Sequence, residues 1–524
     1  MLDRGIIFSG LLTLTLWTGL GLSNDPTVAI RKISLETLED KIRGGWAGQM
    51  IGVSFGAPTE FRSNGKMIGG NLPWIPERVS NALVQDDLYV DMTFAETLGQ
   101  LGLDATTEQF GEAFKNSKYS LWHANAGARR LLNRGIKAPM SGHPLYNIHA
   151  NDIDFQIESD FIGLMTPGLP QESNKYCDRV GRVMNYGDGL YGGMFVCGMY
   201  SAAFFEKDIE KVVEQGLACI PVESSYGKII RNVINWHRKF PEDWRKTWTY
   251  IENQWDKNDS CPDGALKPFN IDAKLNGAYI ALGLLYGKAD FAKTIEITTR
   301  AGQDSDCNPA NAMGILGVVL GYSAIPEKWK AGIPAIADQK FDFTQSSFNE
   351  ITRSTLARAI KVVETAGGTV QGKELIVPIQ APKPPKLEQW DMGIPVKRVD
   401  PLDPNWTWTG NWSEDHYWDT DGLVTQKTSR TPGAETTLIF EGTAIALVGN
   451  GTQEGGRADL YLDGERTGLV DAYIIEQTND NDLWHAYGLK PGKHTLRLVL
   501  REDADPRSTG RQINIATAVT YTSR

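Results

Sequence analysis

From about residue 35 to residue 363 the apolar positions recur at helical spacing. Ile209, Val212, Val213 and Leu217 form one stripe, Ile229, Ile230, Val233 and Ile234 a second, and Trp244, Trp248, Ile251 and Trp255 a third. Each stripe runs along an otherwise charged segment, the pattern of a helix that docks one face on a core. Residues 193–205 and 278–286 are apolar nearly all round and predict central helices buried on every side. Strand-like alternation is scarce here, so residues 30–366 predict an all-α domain. Between 367 and 404 the chain turns rich in Pro and Gly. Pro382, Pro384 and Pro385 disfavour both helix and central strand, predicting a linker that runs over the helical domain. Beyond residue 405 the period shortens to two: 437–440, 444–448, 458–462 and 495–500 read as strands, with hairpin turns at Asp463-Gly464 and Pro491-Gly492. Residues 405–524 therefore predict an all-β sandwich. The expected fold is multidomain, helical first and β second.

Composition changes this picture little. A chain of 524 residues exceeds one ordinary core, and its 22% charged and 10% aromatic content is that of a soluble globular protein. The net charge of −11 leaves no basic stripe for nucleic acid and suits a cation-binding site. Residues 1–23 read as a signal peptide: Arg4, an uncharged run over 5–22, then small Gly21 and Ser23. That predicts an exported protein, periplasmic or secreted, with no stable membrane partner unless the segment stays uncleaved as an anchor. Five cysteines (Cys177, Cys197, Cys219, Cys261 and Cys307) match no zinc or redox spacing and read mostly as small buried residues.

The candidate chemistry lies in three acidic patches where helical pattern meets loop. Glu60 follows Pro58 in IGVSFGAPTEF. Asp86 and Asp87 are adjacent in QDDLYVDMTF, with Asp91 one turn beyond Asp87 on the same face. In GQDSDCNPA, Asn308 can cap a helix beginning at Pro309, leaving Asp304 and Asp306 in the loop before it. Two carboxylates aimed at one point repel unless a cation sits between them, and all-oxygen donors select Mg²⁺, Mn²⁺ or Ca²⁺. Taken singly, each patch is equally readable as helix caps and dipole partners.

Together the three strings, in this order, resemble the motifs of the ADP-ribosylglycohydrolase family, which includes the dinitrogenase-reductase activating glycohydrolases. The resemblance spans roughly residues 35–329. It implies an orthogonal helical bundle with two divalent cations, Mg²⁺ or Mn²⁺, in a cleft. By that match Asp86, Asp87, Asp304 and Asp306 are metal ligands. Gln85 and Cys307 stand where the family carries hydroxyl ligands, and Cys307 is a soft donor for Mg²⁺. Glu60 and Asp87 become the catalytic carboxylates, Glu60 handling the proton. His123 and Asn125 in SLWHANAGARR, Asp91, and Asp188 in NYGDGLYGG become substrate-side candidates, whereas His149 reads as structural.

The activity so implied is metal-dependent hydrolysis of a glycosidic bond to a ribose-like sugar. The partner is then a ribosyl- or furanosyl-containing small molecule or glycan. A furanosidase acting on a polysaccharide or glycoconjugate, and a non-catalytic glycan-binding protein, are the competing readings. KPGKHTLRLVL resembles the last hairpin of jelly-roll modules on secreted carbohydrate-active enzymes. Trp406, Trp408, Trp412 and Trp418 either stack on sugars or fill the module's core. The module is expected to fold by itself and leave small-substrate turnover alone, unless a loop at 450–457 or 479–482 closes over the cleft.

Overall fold

The computed structural model describes residues 29–256, 259–419, 422–475 and 478–524. The expected signal peptide lies outside the described residues. Among these residues no helix is long and apolar enough to cross a membrane.

The helical region is closed by a small sheet. Strand Ile30–Ser34 pairs with Glu374–Pro378, which pairs in turn with Thr369–Gln371, so the two ends of the region meet. Ser34 then caps the first helix, Leu35–Gly56, its hydroxyl accepting from the Thr37 amide at 3.0 Å. This helix lies against Cys307–Leu320, backbone on backbone. A Cβ added at Gly48 would stand 2.0 Å from the Met313 carbonyl oxygen, and one at Gly52 2.2 Å from that of Pro309. Lys41 locks the far end. Its ammonium donates to the Ala203, Val318 and Val319 carbonyls at 3.1, 2.7 and 3.2 Å, satisfying helix ends that have no intrahelical partner. Burial, then the Lys207 charge, pushes its pKa down to about 8.

The helices apolar on every side are central, as the pattern predicts: Asp188–Ala203 is buried from Gly189 onward and Ala273–Gly287 is buried throughout. The amphipathic stripes dock around them on Ile209–Ala218, Ser225–Lys239 and Trp244–Trp255.

The named strands of the second region all pair antiparallel. A five-stranded sheet runs Glu465–Asp471, Gly456–Leu462, Gly492–Ala504, Glu435–Gly442, Trp406–Thr409. A four-stranded sheet runs Thr478–Ala486, Ala444–Gly451, Thr517–Thr522, Ile394–Val399, and its face packs on the first through Leu438, Leu447, Leu460 and Leu498. The Asp463-Gly464 turn has φ +53° and +90°, the left-handed pair that a two-residue hairpin needs.

The linker is shorter than the 38 positions of 367–404 suggested. Residues 369–378 belong to the closing sheet and 394–399 to the sandwich. Pro395 is tolerated because Ile394–Val399 is an edge strand, where one missing amide costs no ladder bond. The remaining stretch is fastened to the helices: the Glu388 amide donates to the Tyr191 hydroxyl at 2.6 Å, Glu388 pairs with Arg182 at 2.7 Å, and the Trp390 indole donates to Asn151 at 3.1 Å. Trp406, Trp408 and Trp412 pack on one another in the sandwich, with centroids 5.1 and 4.8 Å apart, and only Trp418 is open, at 77% exposure. All five cysteines are buried free thiols.

Gly48→Ala should destabilise the protein by about 1–3 kcal/mol or more, since the facing backbone cannot give way. Gly99→Ala, at an exposed helical glycine with nothing within 4 Å of the new methyl, should instead gain about 0.5–1 kcal/mol. Denaturant unfolding of the two variants tests this, and equal effects would refute the close-packing account.

Candidate active site

The crossing of helices Leu35–Gly56 and Cys307–Leu320 sets the site. Gly56 ends the first helix so close to the 302–306 turn that a Cβ there would meet the Ser305 oxygen at 2.0 Å. Gly302 and Gln303, with φ +87° and +54°, make the turn. The Gln303 side chain holds it in place, donating to Pro268 O and accepting from the Asn270 amide, both at 2.9 Å. Thr59 and Ser305 join hydroxyls at 2.8 Å, so Glu60 is carried to the two aspartates of the turn. The following helix starts at Cys307, earlier than the expected Pro309. Asp304 accepts from the Cys307 amide at 3.3 Å, while Asn308 turns inward to Asn276 at 2.8 Å rather than capping.

Two groups of ligand atoms result. Asp87, Asp306 and Cys307 offer one set within 4.8 Å of one another, and Glu60, Asp304 and Asp306 offer another, with Asp306 common to both. Asp86 lines the cleft just outside these groups. Burial first, then the neighbouring carboxylates, lifts Asp87 and Asp306 well above the usual carboxylate range. Asp304 is pushed up to about 8 by burial, opposed by a hydrogen bond with Asp306 and reinforced by Glu60. Glu60 opens to solvent at the cleft, which tempers its shift without changing its direction. Its close surroundings, then Asp306 and Asp86, push it up to about 8. The donors fit a pair of hard cations: Asp87 Oδ1 and Asp306 Oδ1 are buried without any hydrogen-bond partner, and nearly every donor is a carboxylate oxygen.

The other predicted residues divide. Gln85 lines the cleft, but its amide donates to Asn81 at 2.9 Å, and the Cys307 thiol donates to Asp87 Oδ2 at 3.3 Å. His123 and Asn125 line the cleft at the start of helix His123–Asn133. Asp154 caps that helix through the Ala124 and Asn125 amides at 3.2 and 2.9 Å, and Asn125 donates to Glu158. Asp91 and Asp188, expected on the substrate side, do not line the cleft. Asp91 is fully buried and accepts from Gln49 at 3.1 Å. Asp188 accepts from the Tyr226 amide at 3.2 Å, and the glycines around it serve helix packing: a Cβ at Gly189 would meet Ala150 O at 2.4 Å.

The cleft encloses about 820 Å³, and much of its wall comes from residues without a sequence signal, Asp263, Lys267 and Phe269 from the 259–272 loop and Arg398 from the sandwich, joined by Asn481 and Asp482 of the 479–482 segment that the sequence offers as a cleft-closing loop. The sandwich is therefore not a detached module. Arg130 pairs with Asp482, His485 bonds Pro144 O at 2.7 Å and Tyr521 donates to Ser260 O at 3.0 Å. An apolar seam through Ile148, Ala265, Met392, Ala446 and Tyr521 lies beneath these polar contacts.

A family model described as ADP-ribosylglycohydrolase matches residues 34–363. The chain belongs to the ADP-ribosylglycohydrolase family. The family is hydrolytic, and the carboxylate groups, able to hold metal, all fall inside the match. Two curated proteins of Flavonifractor plautii also share sequence with this chain. One is an A type blood alpha-D-galactosamine galactosaminidase, 36% identical over 106 residues, or 20% of this chain and 9% of that protein. The other is an A type blood N-acetyl-alpha-D-galactosamine deacetylase, 32% identical over 143 residues, or 27% of this chain and 17% of that protein. The chain thus spans only a small part of the length of either. A solved structure described as an ADP-ribosylglycohydrolase-related protein complex aligns over 62% of this chain and 98% of its own, at 16% identity and a TM-score of 0.38.

The site makes metal-free stability depend on pH. Asp304 is protonated in the folded state up to about 8, against ~3.9 in the unfolded chain, so the folded state binds more protons between those values. Its contribution is fully present below about pH 4 and lost as pH rises through about 8. Chelated protein should therefore melt progressively lower from pH 5 to pH 8 than the Asp304→Asn variant, by calorimetry; parallel curves would refute the shift. Asp482→Asn should lower kcat/KM about tenfold, or ~1.4 kcal/mol, if the sandwich shapes the substrate wall. Unchanged kinetics in a folded variant would show that the two regions merely abut.

Proposed function

We propose that this protein is a metal-dependent glycosyl hydrolase that cleaves a bond to a sugar with vicinal hydroxyls, a ribose-like furanose first. The observation that carries the reading is the pair of carboxylate-rich groups that share the buried Asp306 and reach an open cleft through Glu60, Asp304 and Cys307. Asp87, Asp304 and Asp306, with Glu60 and Asp86, would hold two divalent cations, Mg²⁺ or Mn²⁺. When bound, such ions bring positive charge to the sugar hydroxyls and acidify a water.

The remaining work falls to side chains. Glu60 is the one carboxylate of the set that is open to solvent, so it can give a proton to the leaving group and then take one from the attacking water. The Cys307 thiol, donating to Asp87 Oδ2, fixes how that carboxylate faces the cleft. Asn125 meets the sugar from the cleft wall, with Asp154 holding its backbone amide.

A glycan or glycoconjugate substrate is the second reading. It is favoured by the sandwich wall, where Arg398, Asn481 and Asp482 add polar groups beyond the carboxylate floor. The short stretches shared with two enzymes named for blood-group galactosamine structures agree with it. An exported location, if residues 1–23 act as a signal peptide, would favour it too, and we read the sandwich as a jelly-roll-like module turned to the cleft.

Purified protein is screened with chelator, Mg²⁺ or Mn²⁺ against ADP-ribosylated peptide, aryl ribofuranoside and furanosyl glycans. Sugar release that needs metal is expected. Glu60→Gln should cut kcat about 10²–10⁴-fold with little change in KM. Asp304→Asn/Asp306→Asn should abolish turnover, melt no lower than wild type without metal, and lose the Mg²⁺-induced rise in Tm. A full Mg²⁺ shift in the double variant would defeat the assignment, and absence of any metal-dependent release would favour a binding role.

A further inference from the structure

A second cluster lies at the same cleft as the carboxylates, and its donor chemistry differs. His123 begins its helix, His149 follows the Asn147 turn, and Cys261 and Asp263 sit on the 259–272 loop. One ligand atom from each of the four lies within 4.8 Å of the others. The Cys261 thiol stands 3.3 Å from His149 Nδ1, and Asp263 Oδ2 stands 3.2 Å from His123 Nδ1. His149 is 4% exposed and Cys261 2%, so the imidazole and the sulfur are withdrawn from bulk water.

We propose that His123, His149, Cys261 and Asp263 form a four-ligand zinc site. Two imidazoles, a thiolate and a carboxylate are a mixed, borderline-soft set, which favours Zn²⁺ over the hard cations suited to the neighbouring all-carboxylate groups. Asp152 Oδ2 lies 2.8 Å from the same His149 Nδ1, so ligation through that nitrogen would exchange this hydrogen bond for the metal. Four protein donors complete a tetrahedral shell, so the site is closed and structural rather than hydrolytic. It would pin the 259–272 loop, which carries the cleft residues Lys267 and Phe269, to the His123 helix. Asp482 of the sandwich, with Oδ1 3.8 Å from His149 Nε2, would abut the same staple. The inference stands whether or not the protein hydrolyses glycosides, because its readout is metal content and spectrum.

Chelator-stripped full-length protein is saturated with Mg²⁺, then loaded with Zn²⁺ or Co²⁺ and desalted. One tightly held equivalent of zinc is expected, and the cobalt form should show intense visible bands of a tetrahedral site with a near-ultraviolet thiolate-to-cobalt band. Cys261→Ser should lose the thiolate band and weaken zinc binding at least about 100-fold, since even outer-shell partners are worth about 10–100-fold. Cys307→Ser should keep both. His123→Gln, at the more open ligand, gives the second test if Cys261→Ser fails to fold, and should also lose the retained equivalent. No retained zinc, equal retention in folded Cys261→Ser or His123→Gln, or a thiolate band that vanishes with Cys307 instead, would overturn the proposal.

Discussion

The molecule depends on a crossing of two helices so close that no side chain fits between their backbones. Gly44, Gly48, Gly52 and Gly56 put a bare stripe along one face of Leu35–Gly56, and Gly314 and Gly317 lie on the facing helix. A Cβ at Gly44 would meet Gly317 O at 2.2 Å, and one at Gly317 would meet Gly44 O at 2.0 Å. Side chains of ordinary size hold helix axes about 8–10 Å apart, and only bare backbone allows a nearer approach. The consequence is chemical. Two chain segments some 250 positions apart end at the same place, and the loops leaving them bring Glu60 beside Asp304 and Asp306.

What the crossing brings together, electrostatics alone would push apart. Asp87, Asp304 and Asp306 are buried, and burial and mutual repulsion both raise their pKa values. A folded chain tolerates this only by keeping protons on the group or by giving the charge to cations. The glycine crossing, the 302–306 turn and the Gln303 clamp supply the rigidity that holds the carboxylates against that repulsion. The raised pKa values and the unpartnered Asp87 and Asp306 oxygens are thus two faces of one constraint, a buried carboxylate site that needs either a proton or a cation.

The sequence made the helical architecture readable because the period of 3.6 was kept over long segments, and stripes such as Ile229–Ile230–Val233–Ile234 have one physical meaning. The carboxylate motifs were readable because each lies within a few residues of a helix end. Asp188 and Asp91 misled, since a polar residue amid glycines or on a motif's helix face looks the same whether it meets ligand or packs inside. The linker misled because Pro395 in an edge strand and Pro in a loop cannot be told apart before the sheet is known. The cleft wall was legible only at 479–482, and the rest was hidden for a different reason. Asp263 and Arg398 come from segments more than 80 positions from each other and from Asp482, and only the interdomain seam brings the three together.

The seam also explains why the β region cannot be a passive appendage. Arg130 sits on the helix that begins with His123, and its guanidinium pairs with Asp482 where both side chains are mostly buried, at 12% and 6% exposure. Breaking such a pair leaves a charge without solvent or partner, a cost of about 3–5 kcal/mol, so the two regions separate with difficulty once joined. A glycan-binding module tethered for retention would need freedom to swing, which this seam denies. The same contact line runs from Asp482 through His149 to Cys261, so one wall of the cleft is built by both regions together. The cleft is then a property of the joined molecule: the glycine crossing fixes the carboxylates, and the seam adds Arg398, Asn481 and Asp482 to the wall around them.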